Sequence, residues 1–142
     1  MKEALARVAL FERLSAEHRA ALGHYFSRAS YRTGARIFEE GDEADAFYVI
    51  LSGQVQIIKG GTGADSRIVA ILSPGDFFGE MGLVEEAPRL AAAYMLSSGD
   101  LAVMAKPAFD AMMEEHPLIA MSIRTEIMRR HSKNIKGTLD ER

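Results

Sequence analysis

Glu80 and Arg89 are the side chains of this sequence best suited by type and surroundings to ligand chemistry. They lie in the stretch Phe77-Phe78-Gly79-Glu80-Met81-Gly82-Leu83-Val84-Glu85-Glu86-Ala87-Pro88-Arg89-Leu90-Ala91-Ala92. Gly75 and Gly79 permit close approach of the backbone, and Glu80 to Leu83 suit a short helical turn whose free N–H groups face an anion. A phosphate fits such a place. Arg89 enters the next strand with a fixed charge and a planar fork of donors for phosphate oxygens, and the Glu80 carboxylate can accept from sugar hydroxyls. Together they describe a phosphorylated ribose. The alternative is that Glu80 and Arg89 pair with each other, but a buried ion pair is costly to desolvate and contributes little stability. A removable partner accounts better for the arrangement.

The elements that must hold these residues are short strands. Thr33-Gly34, Glu40-Gly41-Asp42, Ser52-Gly53, Gly60-Gly61-Thr62-Gly63, Ser73-Pro74-Gly75-Asp76, Ala87-Pro88 and Ser98-Gly99-Asp100 read as turns. Between them Phe47 to Leu51, Gln54 to Ile58, Arg67 to Leu72, Leu90 to Leu96 and Leu101 to Ala105 are rich in β-branched, aromatic and other apolar residues. Gln54-Val55-Gln56-Ile57 alternates with period two. Strands at such even spacing predict a sandwich or a jelly roll. Ala, Leu, Glu, Arg and Met dominate both flanks, so helices bracket the β-core, with Ser15 as an N-cap. Pro107 suits the first turn of a helix running to Glu115, and Pro117 starts a longer one. That last helix carries two apolar stripes, Ala120, Ile123 and Ile127 at spacings of three and four, and Met121, Met128 and Ile135 at spacings of seven. Both stripes are expected on the protein's own β-core, the alternative being that one meets a second copy in a homodimer.

The 142 residues suit one domain, and 48% hydrophobic with 26% charged residues is ordinary for a soluble globular chain. No apolar run approaches the roughly 20 residues of a membrane helix. Lys2, Glu3 and Arg7 interrupt the apolar N-terminus, so a secretory signal is not expected and the cytoplasm is the expected location. The chain has no cysteine, which excludes disulfides, thiolate metal sites and a cysteine nucleophile. A net charge of -3 gives no global attraction to nucleic acid, and no direct DNA binding is expected.

The stretch around Glu80 and Arg89 resembles the phosphate-binding cassette of the cyclic nucleotide-binding family, whose pattern is close to F-G-E-hydrophobic-small-Leu, a few loop residues, then Pro-Arg-small-Ala. Tyr31-Arg32-Thr33-Gly34, Ile37-Phe38-Glu39-Glu40-Gly41-Asp42, Phe47-Tyr48-Val49-Ile50 and Ser52-Gly53-Gln54-Val55 follow the family's early strands and turns, so the resemblance covers roughly residues 8 to 136. It implies a mainly β, α+β fold: an eight-stranded jelly roll (β-roll, 29–106) after N-terminal helices (1–28), followed by two C-terminal helices (107–136) and a short tail (137–142). It further implies that Arg89 and the backbone of Leu90 and Ala91 hold a cyclic phosphate, that Glu80 and the backbone near Gly79 and Met81 hold the ribose, and that the β-roll's apolar wall receives the purine. Leu90 departs from the pattern, which places Ala, Ser or Thr there. It either crowds the phosphate end or leans aside, and it removes a hydroxyl that helps recognise guanine in parts of the family. The implied ligand is therefore cAMP or cGMP, with cAMP favoured, and no cofactor is expected.

The last helix resembles the long helix of the catabolite activator group, where a polar residue beyond the Arg129-Arg130 pair touches the purine. Asn134 would occupy that place, against the plainer reading of a solvated residue near a helix end. Cations at Arg129, Arg130, Lys133 and Lys136 suit a helix C-terminus through its dipole alone. A cupin-like metal enzyme needs histidines converging from the strands, whereas His18, His24, His116 and His131 all fall outside them. No Gly-x-Ser-x-Gly elbow or Walker loop occurs, so no catalytic or metal-binding residue and no enzyme activity is expected. A complete transcription regulator would need a helix-turn-helix beyond Lys136. The expected role is a sensor relaying occupancy through its C-terminal helix to a protein effector. The remaining alternative is a vestigial β-roll that serves interaction or dimerisation without nucleotide.

Overall fold

The structure, a computed structural model, describes residues 11–12, 14–61, 63–80 and 87–140, with side chains through residue 129. Helix α1 (Ala16–Gly23) starts as expected: Ser15 sits in extended conformation and its side chain accepts from the His18 N–H at 3.1 Å. This satisfies one of the helix's orphan donors. Ser15→Ala is expected to cost about 1 kcal/mol of unfolding free energy, measured by urea denaturation.

Eight strands follow among the described residues: β1 (Ser27–Tyr31), β2 (Arg36–Phe38), β3 (Ala46–Ile50), β4 (Gln54–Lys59), β5 (Arg67–Leu72), β6 (Phe77–Phe78), β7 (Ala92–Ser97) and β8 (Gly99–Ala105). They form two antiparallel four-stranded sheets, ordered β1-β8-β3-β6 and β2-β7-β4-β5. Helices α2 (Lys106–Glu115) and α3 (Pro117–Asp140) complete the fold. This is the mainly β, eight-stranded architecture with flanking helices that the sequence predicts.

Two apolar cores explain the pattern of β3, which is buried at every position. Strand side chains alternate in direction. Phe47 and Val49 therefore join a core with Leu22, Phe109, Met112, Ile123 and Ile127 of the helices, while Tyr48 and Ile50 face the interior with Val55, Phe78, Ala93 and Met95 of both sheets. A strand covered on both faces needs no polar alternation. β6 divides the same way, Phe77 joining the helical core and Phe78 the interior.

Several boundaries differ from expectation. β1 begins at Ser27, inside the stretch expected to be helical to 28, because residues 27–31 pair with Val103 back to Gly99. β7 begins at Ala92 rather than Leu90, since the Arg89 backbone is engaged elsewhere: its N–H donates to the Asp42 carbonyl and its carbonyl accepts from the Gly41 N–H, both at 2.8 Å. α3 continues through residues 137–140, expected as a tail, with no proline there to stop it. Of its two stripes, Ala120, Ile123 and Ile127 are buried in the helical core. Met121 and Met128 are exposed, contrary to the expectation that both stripes cover the β-core, and Ile135 lies outside the described side chains. A helix lying on one surface buries one face.

Candidate functional site

Arg89 is the centre of the site. It is 7% exposed, and its side chain is held by backbone oxygens: Nη1 donates to the Gly79 carbonyl at 2.8 Å and Nη2 to the Ala46 carbonyl at 2.7 Å. Its Nε–H is buried without a hydrogen-bond partner among the described residues. Buried polar groups are nearly always paired, and an unmet donor costs about 1–3 kcal/mol, so this donor marks a place for an acceptor.

The local sequence accounts for the grip. Gly41 adopts φ +91°, allowing the β2–β3 loop to turn and bond both backbone groups of Arg89. Gly79, directly after β6, has φ +74°, and a Cβ on it would lie 2.9 Å from Arg89 Nη1 and 3.2 Å from the Tyr48 ring. Gly79→Ala thus meets both backbone strain and the guanidinium. A stability loss of about 1–3 kcal/mol is expected, together with weaker ligand binding, read by thermal unfolding and calorimetry.

Burial lowers the Arg89 pKa, while Tyr48, Asp45, Glu80 and Asp42 oppose the shift by favouring its charge. An arginine remains protonated at neutral pH all the same. The site is therefore one buried cation with carboxylates nearby. Glu80, 7% exposed, is close enough to act on that charge, so Gly79, Glu80 and Arg89 are brought together as the sequence suggests. The two Nη bonds of Arg89 run to the main chain. Burial likewise raises the Tyr48 pKa, with Arg89 acting against it.

The other predicted residues are distributed as follows. Leu90 is 75% exposed and takes no part in the buried interior. Ala91 is half-buried and leads into β7. Met81 and the expected turn over Glu80 to Leu83 lie outside the described residues beyond Glu80. Asn134 is carried on α3, its side chain outside the described ones. Sequence reasoning missed the roles of Phe38, the Gly41–Asp42 backbone and the Ala46 carbonyl. The first has an aromatic ring at 4.2 Å from the Arg89 guanidinium carbon. Its only signal was its place in the motif before Gly41-Asp42. The glycine-rich stretch expected as a turn at 60–63 falls between the paired strands β4 and β5, with Thr62 outside the described residues. Among the described residues no group of three or more His, Cys, Asp or Glu side chains could hold a metal ion, and no helix is long and apolar enough to cross a membrane.

A two-sheet roll with a buried arginine, whose Nε–H has no acceptor among the described residues, defines a β-roll suited to a small anionic ligand. Comparison with known proteins makes the class specific. The family described as "Cyclic nucleotide-binding domain" matches residues 28–116. The chain is 33% identical over 121 residues to the cyclic AMP receptor protein of Thermus thermophilus, covering 85% of this chain and 56% of that protein. It is 31% identical over 138 residues to a cAMP-dependent protein kinase regulatory subunit of Mycosarcoma maydis, covering 94% and 25%. The crystal structure of the Thermus thermophilus catabolite activator protein has a TM-score of 0.81 at 31% identity, covering 92% of this chain and 61% of that one. The chain belongs to the cyclic nucleotide-binding domain family. It spans little more than half the length of the receptor protein and a quarter of the kinase subunit.

Proposed function

We propose that this chain is a non-catalytic, cytoplasmic cyclic-nucleotide sensor, that its ligand is cAMP in preference to cGMP, and that α3 relays occupancy to a protein effector. The observation that carries the reading is the buried, charged Arg89, whose Nε–H has no acceptor among the described residues. The cyclic phosphate accepts from this guanidinium and from the backbone of Leu90 and Ala91; the ribose hydroxyls donate to Glu80, with the backbone of Gly79 and Met81 beside them. The 75% exposure of Leu90 supports a pocket left open rather than filled by its side chain. Leucine supplies no hydroxyl for guanine, which favours adenine. Asn134 on α3 is the proposed purine contact from the helix.

Relay requires that the ligand bind one position of α3 better than another. Hydrogen exchange tests this: saturating cAMP is expected to raise protection over residues 117–136, and identical protection with and without ligand would refute the relay. The exposed Met121 and Met128, on the helix that also lines an apolar groove of about 380 Å³ with Leu14, support a second copy docking along α3. The molar mass in analytical ultracentrifugation is then that of a dimer, lowered by Met121→Glu.

A further inference from the structure

The Arg89 guanidinium is gripped from both sheets. The sheet containing β3 and β6 supplies the Ala46 carbonyl and, just after β6, the Gly79 carbonyl, both to the Nη groups. The other sheet supplies Phe38 of β2, whose ring centroid lies 4.2 Å from the guanidinium carbon. Tyr48 is more distant, at 6.0 Å. At 4.2 Å a planar cation is held by the negative face of an aromatic ring, and this attraction strengthens where water is excluded. The ring is itself wedged by neighbours: Phe38 lies 5.9 Å from Tyr48 and 6.0 Å from Phe78, and those two rings stack on each other at 5.0 Å with 12° between planes. Two carbonyls thus fix the Nη end and one ring covers the guanidinium, while the buried Nε–H has no hydrogen-bond partner among the described residues.

We propose that Phe38 is a positioning residue, whose ring holds the Arg89 guanidinium in the orientation that leaves the Nε–H for the ligand's anionic oxygen. This rests on the reading of Arg89 as the phosphate-binding residue. A leucine at 38 would fill similar space but would carry no charge-attracting face. The guanidinium would then be held by its carbonyls alone and would tilt about the Nη end, moving the donor that the anion needs. A tyrosine keeps the ring and so keeps the grip.

The test compares the wild-type protein with Phe38→Leu, Phe38→Met and Phe38→Tyr, each checked for folding by circular dichroism. Two quantities are read: the ¹⁵N-resolved Nε–H resonance of Arg89 in nucleotide-free protein, after subtraction of the ring-current shift that loss of the Phe38 ring itself produces, and the dissociation constant for cAMP by calorimetry. The leucine and methionine variants are expected to shift the resonance and to weaken binding about two- to thirtyfold, while tyrosine retains wild-type behaviour in both. An unmoved resonance in the leucine and methionine variants overturns the proposal, whether or not affinity falls, because any loss then arises away from Arg89. A shifted resonance with wild-type affinity overturns it as well. If the wild-type protein binds neither cAMP nor cGMP, the sensor reading fails, and the resonance alone still decides whether Phe38 orients Arg89.

Discussion

Arg89→Ala is expected to weaken cAMP binding by about ten- to a hundredfold while the β-roll still forms. One charge-assisted hydrogen bond to a phosphate, from the Nε–H, is worth about 1.5–3 kcal/mol, which corresponds to a loss of about one to two orders of magnitude. The fold survives because opposing effects partly cancel. Truncation leaves the Ala46 and Gly79 carbonyls without their donor, which costs about 1–3 kcal/mol for each buried group left unmet. It also removes the desolvation cost of a buried cation. Arg89→Lys separates charge from geometry: a lysine keeps the charge but lacks the fork that reaches two carbonyls and leaves a third donor. It is expected to bind more weakly than wild type and more tightly than alanine. Calorimetry on the three proteins, with circular dichroism to establish folding, checks both statements, and a lysine variant as weak as alanine would mean that geometry rather than charge dominates.

The largest effect on stability is expected at Ile127. It is fully buried and belongs to the core shared by α3, α2, α1 and the β3 strand. Ile127→Ala removes apolar contacts and leaves a cavity between elements that are each fixed by other partners, so the site collapses poorly. A loss of about 2–5 kcal/mol is expected in urea unfolding. Met121 lies on the same helix but is 63% exposed. Met121→Ala is expected to change monomer stability by less than about 0.5 kcal/mol. Similar losses at both positions would contradict the packing of α3 described above. Because the same helix is the proposed relay, Ile127→Ala should also weaken the coupling of ligand binding to α3 protection.

How much of this was legible in the sequence varied by element. The α1 cap was legible because it is a local event between Ser15 and His18. β5 was read with its observed bounds, since turn residues delimit a β-branched run on both sides. Gly79, Glu80 and Arg89 could be chosen from residue type and motif order. Their assembly could not be derived from spacing, because Arg89 is held by a carbonyl 43 residues earlier and by a loop at Gly41–Asp42. The Phe38 contact is likewise tertiary: nothing local in Arg36-Ile37-Phe38 says that a cation from another segment lies over the ring. The start of β7 was misread for the same reason, as Leu90 has strand-forming chemistry but follows a residue whose backbone belongs to the Arg89 grip. On α3 the periodicity revealed two apolar faces, but only the geometry of the docked helix shows which one is covered.

Whether the chain senses a cyclic nucleotide is read by calorimetric titration of the wild-type chain, unfolded and refolded to strip co-purified nucleotide, with cAMP, cGMP and 5′-AMP. Saturable binding of one cAMP per chain, weaker binding of cGMP, and weakened cAMP binding in Arg89→Ala are expected. Absence of heat or saturation with either cyclic nucleotide, in protein shown to have refolded, would contradict the sensor reading and leave the buried Arg89 as a structural cation.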